Sequence, residues 1–539
     1  MDNFENNATV TQNEKATKKP NAFLRALGYD PVEKQTSLRT EFIAGIVTFL
    51  AMAYILTVNP MQLVGAGSQY WASIFIATAL GGMVGTLLMA FVAKMPLAQA
   101  SGMGLNSMVG GIIGGWGYGV AFTPGQAFML VLISGMIFLL LSTVQIKGKT
   151  FRELVFDGMP VSVRSAISVG IGLFIAYIGF QNAGVIVTND YTQVGLVDFT
   201  NWGTQVVNNG GITWENGIGS TNAFSGTVAY AAAKSATVAF IGLILIAILD
   251  KFNVKGSIII GILGAAIVGI PLGVTDLSIL AGSEGISWAF WDNFSTYFSA
   301  NSEVSVFGSF LDVFNGGGLV PEGCSVFTVI MIIITMCMID MFDTMGTIVG
   351  CCSGNRVLSD ENNKPRNYSR IMYSDAIATV AGAMLGTSTV TTFVESGAGV
   401  SAGGRTGLTA FTTACLFFLS MFALPLFAAI PSAAAASALI YVGVLMMKNN
   451  VKSVDFSDAI RATVAFLTIV VMILSYSITK GIGIGMIAYT VMSLIEYLAK
   501  LIISVVKKDE VKPKFDVSIV AIVVALLFCV YLFVPANLF

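Results

Sequence analysis

The sequence contains no histidine, and charged residues make up only 11 % of its 539 positions. Ordinary soluble domains carry about 25 % charged residues, so this composition argues against a water-soluble protein. The lack of histidine also removes the side chain that most often shuttles protons or binds metals near neutral pH. Any proton chemistry must therefore use carboxylates. We also expect a protein that is not an enzyme, with no metal and no cofactor.

Cysteine is scarce as well, and its spacing excludes the usual disulfide and metal patterns. Most of the cysteines lie inside apolar runs, where cysteine behaves as a small hydrophobic residue. The adjacent pair Cys351-Cys352 ends such a run, and a metal role there is disfavoured. The six positions are Cys324, Cys337, Cys351, Cys352, Cys415 and Cys529.

Long apolar runs dominate the chain, and the mean hydropathy is +0.80. Many of these runs reach the roughly 17–25 residues that span a bilayer core. They are continuous rather than alternating, so we predict an all-α polytopic membrane protein. A final run at 515–537 makes the number of spans odd: either it is an additional span, or one late segment does not cross. The other runs lie near 40–62, 72–93, 97–113, 124–145, 164–187, 232–250, 256–274, 326–350, 372–387, 389–404, 407–429, 433–447, 460–478 and 481–505.

Basic residues predict the orientation, because cytoplasmic loops of membrane proteins are enriched in lysine and arginine. The stretches 188–231 and 275–325 contain neither residue and are expected outside. The polar segment 1–38 is expected to be a cytoplasmic basic tail and not a signal peptide, because the apolar core follows it too late. The aromatic residues of 285–312 fit an interfacial belt better than a ligand lid. We expect a multi-pass protein of the cell membrane.

A short internal repeat connects the two halves of the chain. SGMGLNS (Ser101–Ser107) matches SGAGVSA (Ser396–Ala402) at an offset of 396 − 101 = 295 positions. The same offset places Asp343 on Thr48 in the opening span of each half. Each repeated segment belongs to the third span of its half, and seven spans would reverse the second half in the membrane. We therefore predict an inverted repeat, which is typical of secondary transporters.

The second copy of the repeat follows a β-branched stretch, TSTVTTFVE, ending at Glu395. Such a stretch favours extended backbone, which a membrane tolerates only inside protein or beside a cavity. The following glycines then allow a helix to begin, and its free N–H groups suit polar ligand atoms. In a strand, Phe393 and Glu395 would point the same way. This predicts a ligand site with an aromatic face and a carboxylate.

Three carboxylates at membrane depth are candidates for function, since ionisable groups are costly there. Asp340 and Asp343 share one helical face, and Glu395 lies in the broken segment. Because neighbouring negative charges repel each other, we expect that these acids are not all ionised at once. The alternative for Asp340 is a structural role, in which it forms a hydrogen bond to a neighbouring helix. Asp375 is interpreted as a helix cap, and Arg405 as a side chain that snorkels or sets the orientation of its segment.

Several longer motifs resemble the AzgA-like purine permeases, a branch of the xanthine/uracil (nucleobase–cation symporter) permease family. The resemblance covers roughly residues 38–505, without the tail and the two outer loops. The motifs are TEFIAGIVTFLAMAYILTVNP (Thr40–Pro60), ASGMGLNS (Ala100–Ser107), GIGLFIAYIGFQNAG (Gly170–Gly184), DMFDTMGT (Asp340–Thr347) and FVESGAGVSAGGRTGLTA (Phe393–Ala410).

The resemblance implies fourteen spans in two inverted seven-span repeats, with short strands in spans 3 and 10. It also implies a core domain that binds substrate, a gate domain, and a homodimer as an admissible assembly. The expected divisions are a tail (1–38), core (39–145), gate with outer loops (146–325), core (326–429), and gate with the C-terminal segment (430–539). The implied substrate-binding residues are Thr48, Ser101, Asn106, Asp343, Phe393, Glu395 and Ser396.

The expected activity is uptake of purine bases (guanine, hypoxanthine and also adenine) coupled to protons through Asp340, Asp343 and Glu395. A carboxylate such as Glu395 accepts hydrogen bonds from the N–H groups of a neutral oxopurine. Some relatives carry a histidine in the first or eighth span, which this chain lacks. Sodium coupling and an anion transporter of the same fold are the alternatives; an intramembrane protease is disfavoured, because Asp340 and Asp343 lie on one helix.

Overall fold

The architecture is taken from a computed structural model in which most of the chain is helical. The predictions for residues 1–20 and for most of the outer loop 188–231 lie outside the described residues. The structure describes residues 21–65, 68–115, 120–146, 149–150, 161–189, 193–197, 199–200, 202, 205–208, 211–212, 228–230, 232–281, 286–299, 305–352, 357–359, 365–507 and 517–533.

Helices form where the apolar runs were predicted, although several runs are divided. The first-half helices are Ala22–Ala26 (α1), Leu38–Met52 (α2), Ile55–Val64 (α3), Trp71–Leu88 (α4), Met103–Ile113 (α5), Pro124–Thr143 (α6), Val161–Asn182 (α7), Ala232–Lys251 (α8), Ser257–Gly269 (α9), Phe290–Phe298 (α10) and Val306–Asp312 (α11). The second-half helices are Val326–Cys352 (α12), Tyr368–Met384 (α13), Ser396–Ser401 (α14), Gly407–Ser420 (α15), Leu424–Ala428 (α16), Ser432–Asn450 (α17), Ala459–Leu474 (α18), Ile478–Lys507 (α19) and Ile519–Phe533 (α20).

Short strands complete the described structure, and one pair joins distant parts of the chain. Gln99–Ser101 (β1) pairs with Val390–Thr392 (β9) in an antiparallel two-stranded sheet. The remaining strands pair locally, before α7 or in the loop that follows it. They are Gln145–Ile146 (β2), Lys149–Thr150 (β3), Ile186–Asn189 (β4), Gln193–Leu196 (β5), Gln205–Asn208 (β6), Gly211–Ile212 (β7) and Val228–Tyr230 (β8).

The first apolar run is one segment whose helix is interrupted by a short turn. α2 ends at Met52 and α3 begins at Ile55, and the backbone between them turns at Ala53 and Tyr54. Pro60 lies inside α3, where it cannot donate a backbone hydrogen bond and crowds the preceding turn. The interruption lies about two turns before the proline. It places the Tyr54 side chain in the buried interior, where it is fully inaccessible.

The helices pack in two groups. The first, here called the strand-bearing group, contains α2, α4, α6, α13 and α15 together with the β1–β9 sheet. The second group contains α7, α8, α9, α17, α18 and α19. Within it α7 and α17 pack backbone to backbone, since a Cβ on Gly443 would lie 2.4 Å from the Gly172 carbonyl oxygen. The polar broken segments thus belong to one group.

Six helical segments among the described residues are long and apolar enough to cross a membrane, by length and composition. Shorter apolar helices, including α5, α12 and α17, accompany them. The fold is therefore that of a helical membrane protein. The six segments are Leu38–Val64, Trp71–Ala93, Pro124–Thr143, Ala233–Lys251, Gly407–Ala428 and Ile478–Ser504.

The aromatic segment after α9 packs partly onto the helices. In α10 the buried Tyr297 donates its hydroxyl hydrogen bond to the Leu385 carbonyl oxygen at 2.5 Å, at the end of α13. Phe290 stacks on Phe422 with ring centroids 4.3 Å apart. Trp288 and Trp291 remain exposed. Tyr297 is thus an anchor for α13 rather than a belt residue, while the belt role of the two tryptophans stays a prediction.

The last apolar run forms α20, which packs along α19. The Phe528 ring lies so close to Gly483 that a Cβ there would be 2.7 Å from a ring carbon. The helix has 15 residues, fewer than the roughly 20 that usually span a bilayer. The described part of the run at 515–537 is therefore a helix packed along α19, and its two alternatives, an additional span or a late segment elsewhere that does not cross, stay predictions.

Candidate functional site

The site is built on the β1–β9 pair, which joins two broken segments. Gln99 lies opposite Thr392 and Ser101 opposite Val390. Beyond the strands, the Gly102 amide donates to the Thr389 carbonyl oxygen at 2.8 Å. All six strand residues are buried. Backbone groups at membrane depth must find partners inside the protein, and here each broken segment supplies partners for the other.

Glu395 lies immediately before α14, at the N-cap position. Its Oε1 accepts a hydrogen bond of 2.6 Å from the Tyr54 hydroxyl. A short hydrogen bond to a carboxylate is stronger than one between neutral groups. Tyr54 therefore orients a half-buried carboxylate at the start of a helix. The sequence analysis missed Tyr54, because its partner Glu395 lies 341 positions away in the chain.

Asp343 and Phe393 lie near this carboxylate. Asp343 is half-buried on α12, close enough to Glu395 for their negative charges to repel each other. Phe393 follows β9 and is 6 % exposed, and its backbone amide donates to the Ala98 carbonyl oxygen at 3.0 Å. On α12 the Cys351 thiol donates to the Val394 carbonyl oxygen at 3.4 Å. The structure thus gathers Asp343, Phe393 and Glu395, three of the residues expected at the site.

Ser101 and Asn106 belong to a polar network beside the strand pair. Asn106 Oδ1 accepts hydrogen bonds from Ser101 Oγ, at 3.0 Å, and from Ser388 Oγ. Its amide nitrogen donates to the Ser101 carbonyl oxygen at 3.3 Å. Asn59 extends the network by donating to Thr387 Oγ1 at 2.9 Å. In this arrangement Ser101 and Asn106 hold the two broken segments together, and their contact with a ligand stays a prediction.

Ser396 and Thr48 fix the position of α14. Ser396 Oγ accepts from the Ala98 amide at 2.9 Å, which ties the helix start to the chain entering β1. Thr48 is buried on α2 and packs against Gly399 of α14. A Cβ at Gly399 would lie 1.9 Å from Thr48 Oγ1. Both residues thus hold the start of α14, next to Glu395, in position. A direct ligand contact by either residue stays a prediction.

Two reciprocal hydrogen bonds link α12 to α13. Thr379 of α13 donates to Asp340 of α12 at 3.1 Å, and Thr344 of α12 donates to Asp375 of α13 at 2.8 Å. Each helix thus supplies an aspartate and a threonine four positions apart. The alternative reading of Asp340, a hydrogen bond to a neighbouring helix, matches this contact. Both aspartates are buried, with at most 1 % exposure.

The interpretation of Asp375 as a helix cap is wrong. The cap position of α13 is Asn367, and Asp375 lies in the interior of the helix. Its Oδ1 accepts from Gln99 Nε2 at 3.0 Å, so it joins α13 to β1 as well as to α12. The error arose because an aspartate after a serine resembles a capping signal, whereas the partners that explain it come from distant segments.

Glu41 is a further buried carboxylate that the sequence reading did not identify. It accepts hydrogen bonds from the Arg405 amide at 3.0 Å, the Thr406 amide at 3.3 Å and the Thr409 hydroxyl at 2.5 Å. These groups form the N-terminal turn of α15, where a negative charge is stabilised by free N–H groups. The Arg405 guanidinium donates to the Val400 carbonyl oxygen at 2.6 Å, so Arg405 holds α14 in place rather than merely snorkelling.

Two solved structures share the fold of this chain. The chain is similar to the transmembrane domain of the cyanobacterial bicarbonate transporter BicA, with a TM-score of 0.52 and 15 % identity, covering 83 % of this chain and 97 % of that one. It is also similar to SLC26A9, with a TM-score of 0.51 and 10 % identity, covering 89 % and 67 %. The fold is therefore that of a helical membrane transporter.

Sequence comparison identifies the family. The xanthine/uracil permease model, described as "Permease family", matches residues 204–484. The adenine permease AdeP of Escherichia coli is 33 % identical over 86 % of this chain and 88 % of its own length. The guanine/hypoxanthine permease PbuO of Bacillus subtilis is 32 % identical over 85 % and 92 %. A putative permease of Methanocaldococcus jannaschii is 34 % identical over 85 % and 89 %.

The chain therefore belongs to the xanthine/uracil permease family. It is a multi-pass membrane transporter of the nucleobase permease type, not an enzyme. This confirms the family predicted from the motifs.

Proposed function

We propose that this permease imports purine bases, guanine and hypoxanthine foremost and adenine as well, together with protons. The observation that carries the proposal is the Glu395 carboxylate, held by the Tyr54 hydroxyl at 2.6 Å beside the paired strands. An oriented carboxylate at membrane depth is costly unless it serves a ligand or an ion. Relatives named as adenine and guanine/hypoxanthine permeases support the choice of ligand.

The recognition chemistry follows from the acceptors at the site. A carboxylate has about four acceptor positions, so Glu395 keeps capacity for a ligand after accepting from Tyr54. The N1–H and 2-amino groups of guanine form a donor pair that matches it. Asp343 would accept from the imidazole-side N–H, and Phe393 would stack on the ring. Thr48, Ser101, Asn106 and Ser396 would complete the site, chiefly by holding its backbone.

The proposed topology is fourteen spans in two inverted repeats, with the N-terminus in the cytoplasm. The strand-bearing group would be the core domain (39–145 and 326–429), and the second group the gate domain (146–325 and 430–539). Movement of one group against the other, as an elevator or by rocking, would expose the site to each side in turn. A homodimer through the gate is part of this proposal.

Proton coupling is proposed to use the acidic residues, since the chain has no histidine. Asp343 and Glu395 lie close enough to repel each other, so a proton on either relieves the repulsion. Asp340, hydrogen-bonded to Thr379, would transmit the change to α13. Sodium coupling through the same acids is the alternative.

An anion transporter of the same fold is less well supported. The likeness to BicA and SLC26A9 concerns the fold alone. Among the described residues, the ion pairs lie away from Glu395 and Asp343, on Lys34, Arg461 and Lys500. A site whose oriented polar groups are carboxylates repels anions.

The test is uptake of radiolabelled guanine, hypoxanthine, adenine, uracil and sulfate into proteoliposomes with an imposed pH gradient. We expect uptake of purines only, abolished by a protonophore and by Glu395→Gln. Uptake driven by a sodium gradient instead would show that sodium is the coupling ion, while the proposed substrate would stand. Sulfate uptake, or wild-type guanine uptake by the Glu395→Gln variant, would contradict the proposed site.

A further inference from the structure

A cavity of about 400 Å³ lies between the first and second groups of helices, at the end that the charge pattern predicts to face outward. Its walls come from α3, the start of α4, the segment after α9 and the junction of α16 with α17. This volume falls within the roughly 300–1,000 Å³ of small-molecule sites. The lining includes Thr57, Met61, Trp71, Asp276, Ile430 and Ser432.

The cavity combines an aromatic wall with hydrogen-bonding groups. Trp71 lines it, stacked on Phe75 with ring centroids 5.7 Å apart. Thr57 also lines it, and its Oγ1 is buried without a hydrogen-bond partner among the described residues. Buried hydroxyl groups normally have a partner, so Thr57 places an unmatched polar atom just behind the cavity wall.

Asp276 provides the negative charge of the cavity. Hydrogen bonds from the Ser278 side chain and amide lower the pKa of Asp276, which therefore stays ionised at neutral pH. Among the described residues, no lysine or arginine lines the cavity. A ligand with N–H donors and no negative charge suits these walls, and an anion does not.

Helix α3 connects the cavity wall to the Glu395 site. Tyr54 immediately precedes this helix, and the Thr57 amide donates to the Tyr54 carbonyl oxygen at 3.1 Å. Tyr54, Thr57 and Met61 are spaced i, i+3 and i+7, so they share one face of the helix. One face of α3 therefore leads from the cavity to the tyrosine that holds Glu395.

We propose that this cavity is an entry site, which binds the flat, neutral base before it reaches Glu395. The proposal rests on the proposed function and adds a second, weaker position for the same substrate. Trp71 supplies the aromatic surface, and Asp276 accepts from a ring N–H. Such a site raises the local substrate concentration beside the tyrosine.

The test uses a reporter cysteine on the cavity wall, Ser432→Cys, and a membrane-impermeant maleimide. The parent chain, which has an exposed Cys415, is labelled in parallel and subtracted. The rate of labelling is measured against guanine concentration in the wild-type and Glu395→Gln backgrounds. We expect guanine to slow labelling in both, because the entry site does not need Glu395. Asp276→Asn should raise the protecting concentration about tenfold, as for a lost hydrogen bond to a charged group.

Asp292→Asn is the matched control, an exposed aspartate in the same outer segment that does not line the cavity, and it should not change protection. Absence of protection, while guanine still binds the wild-type chain, would overturn the entry site and leave the proposed function intact. Protection that disappears with Glu395→Gln would also overturn it, since the reporter would then sense only the central site. Failure of the wild-type chain to bind any purine would overturn both.

Discussion

The hydrogen bond between Tyr54 and Glu395 yields the sharpest prediction. Tyr54→Phe keeps the ring and removes the hydroxyl that donates to Glu395 Oε1 at 2.6 Å. Hydrogen bonds to charged groups contribute about 1.5–3 kcal/mol. We therefore expect weaker guanine binding, with a dissociation constant roughly 10- to 150-fold higher than that of the wild-type chain. The protein should remain folded, because the aromatic packing is retained.

A double-mutant cycle tests the reasoning. Guanine binding is measured at equilibrium for the wild-type chain, Tyr54→Phe, Glu395→Gln and the double variant. If the tyrosine acts by orienting the carboxylate, its removal matters little once the carboxylate is gone, and the coupling energy should exceed about 1 kcal/mol. Additive effects, within about 0.5 kcal/mol, would show that Tyr54 does not act through Glu395.

Three further substitutions test the packing around the site by thermal unfolding in detergent. Gly399→Ala should lower stability by about 1–3 kcal/mol, because its methyl group would meet a threonine of α2 at 1.9 Å; Gly397→Ala, where the nearest atom is 3.8 Å away, should be nearly neutral. Thr344→Val should cost about 1–3 kcal/mol by depriving a buried carboxylate of a donor. Thr335→Val is the control, since the hydrogen bond that its hydroxyl makes among the described residues lies within its own helix; equal losses would contradict the role of Thr344. Glu41→Gln should cost a similar amount by weakening the capping of α15, and an unchanged melting temperature would refute that role.

The sequence predicted the broken segments well because their signals are local. Glycines around Ser101 and the β-branched run before Glu395 identify extended backbone wherever they occur. The carboxylates were found for a similar reason, since an acid in an apolar run is conspicuous. Asp343 and Glu395 could be named as candidates without knowledge of their partners, and their roles stay predictions.

The residues that were missed depend on contacts between distant segments. Tyr54 is an ordinary aromatic residue until Glu395, 341 positions away, is folded against it. Asp375 looks like a cap until Gln99 and Thr344 reach it. Glu41 is buried by the start of α15, which lies in the other half of the chain. A single sequence carries no signal for pairings at such separations.

The pairing of β1 with β9 has a consequence for biosynthesis. Gln99 and Thr392 are 293 positions apart, so the first strand enters the membrane long before its partner is translated. Until then its backbone groups lack their final partners at a depth where water is scarce. Contacts of such long range form slowly. We therefore expect that the nascent first half is shielded during insertion, and that the site around Glu395 forms only once both halves are in place.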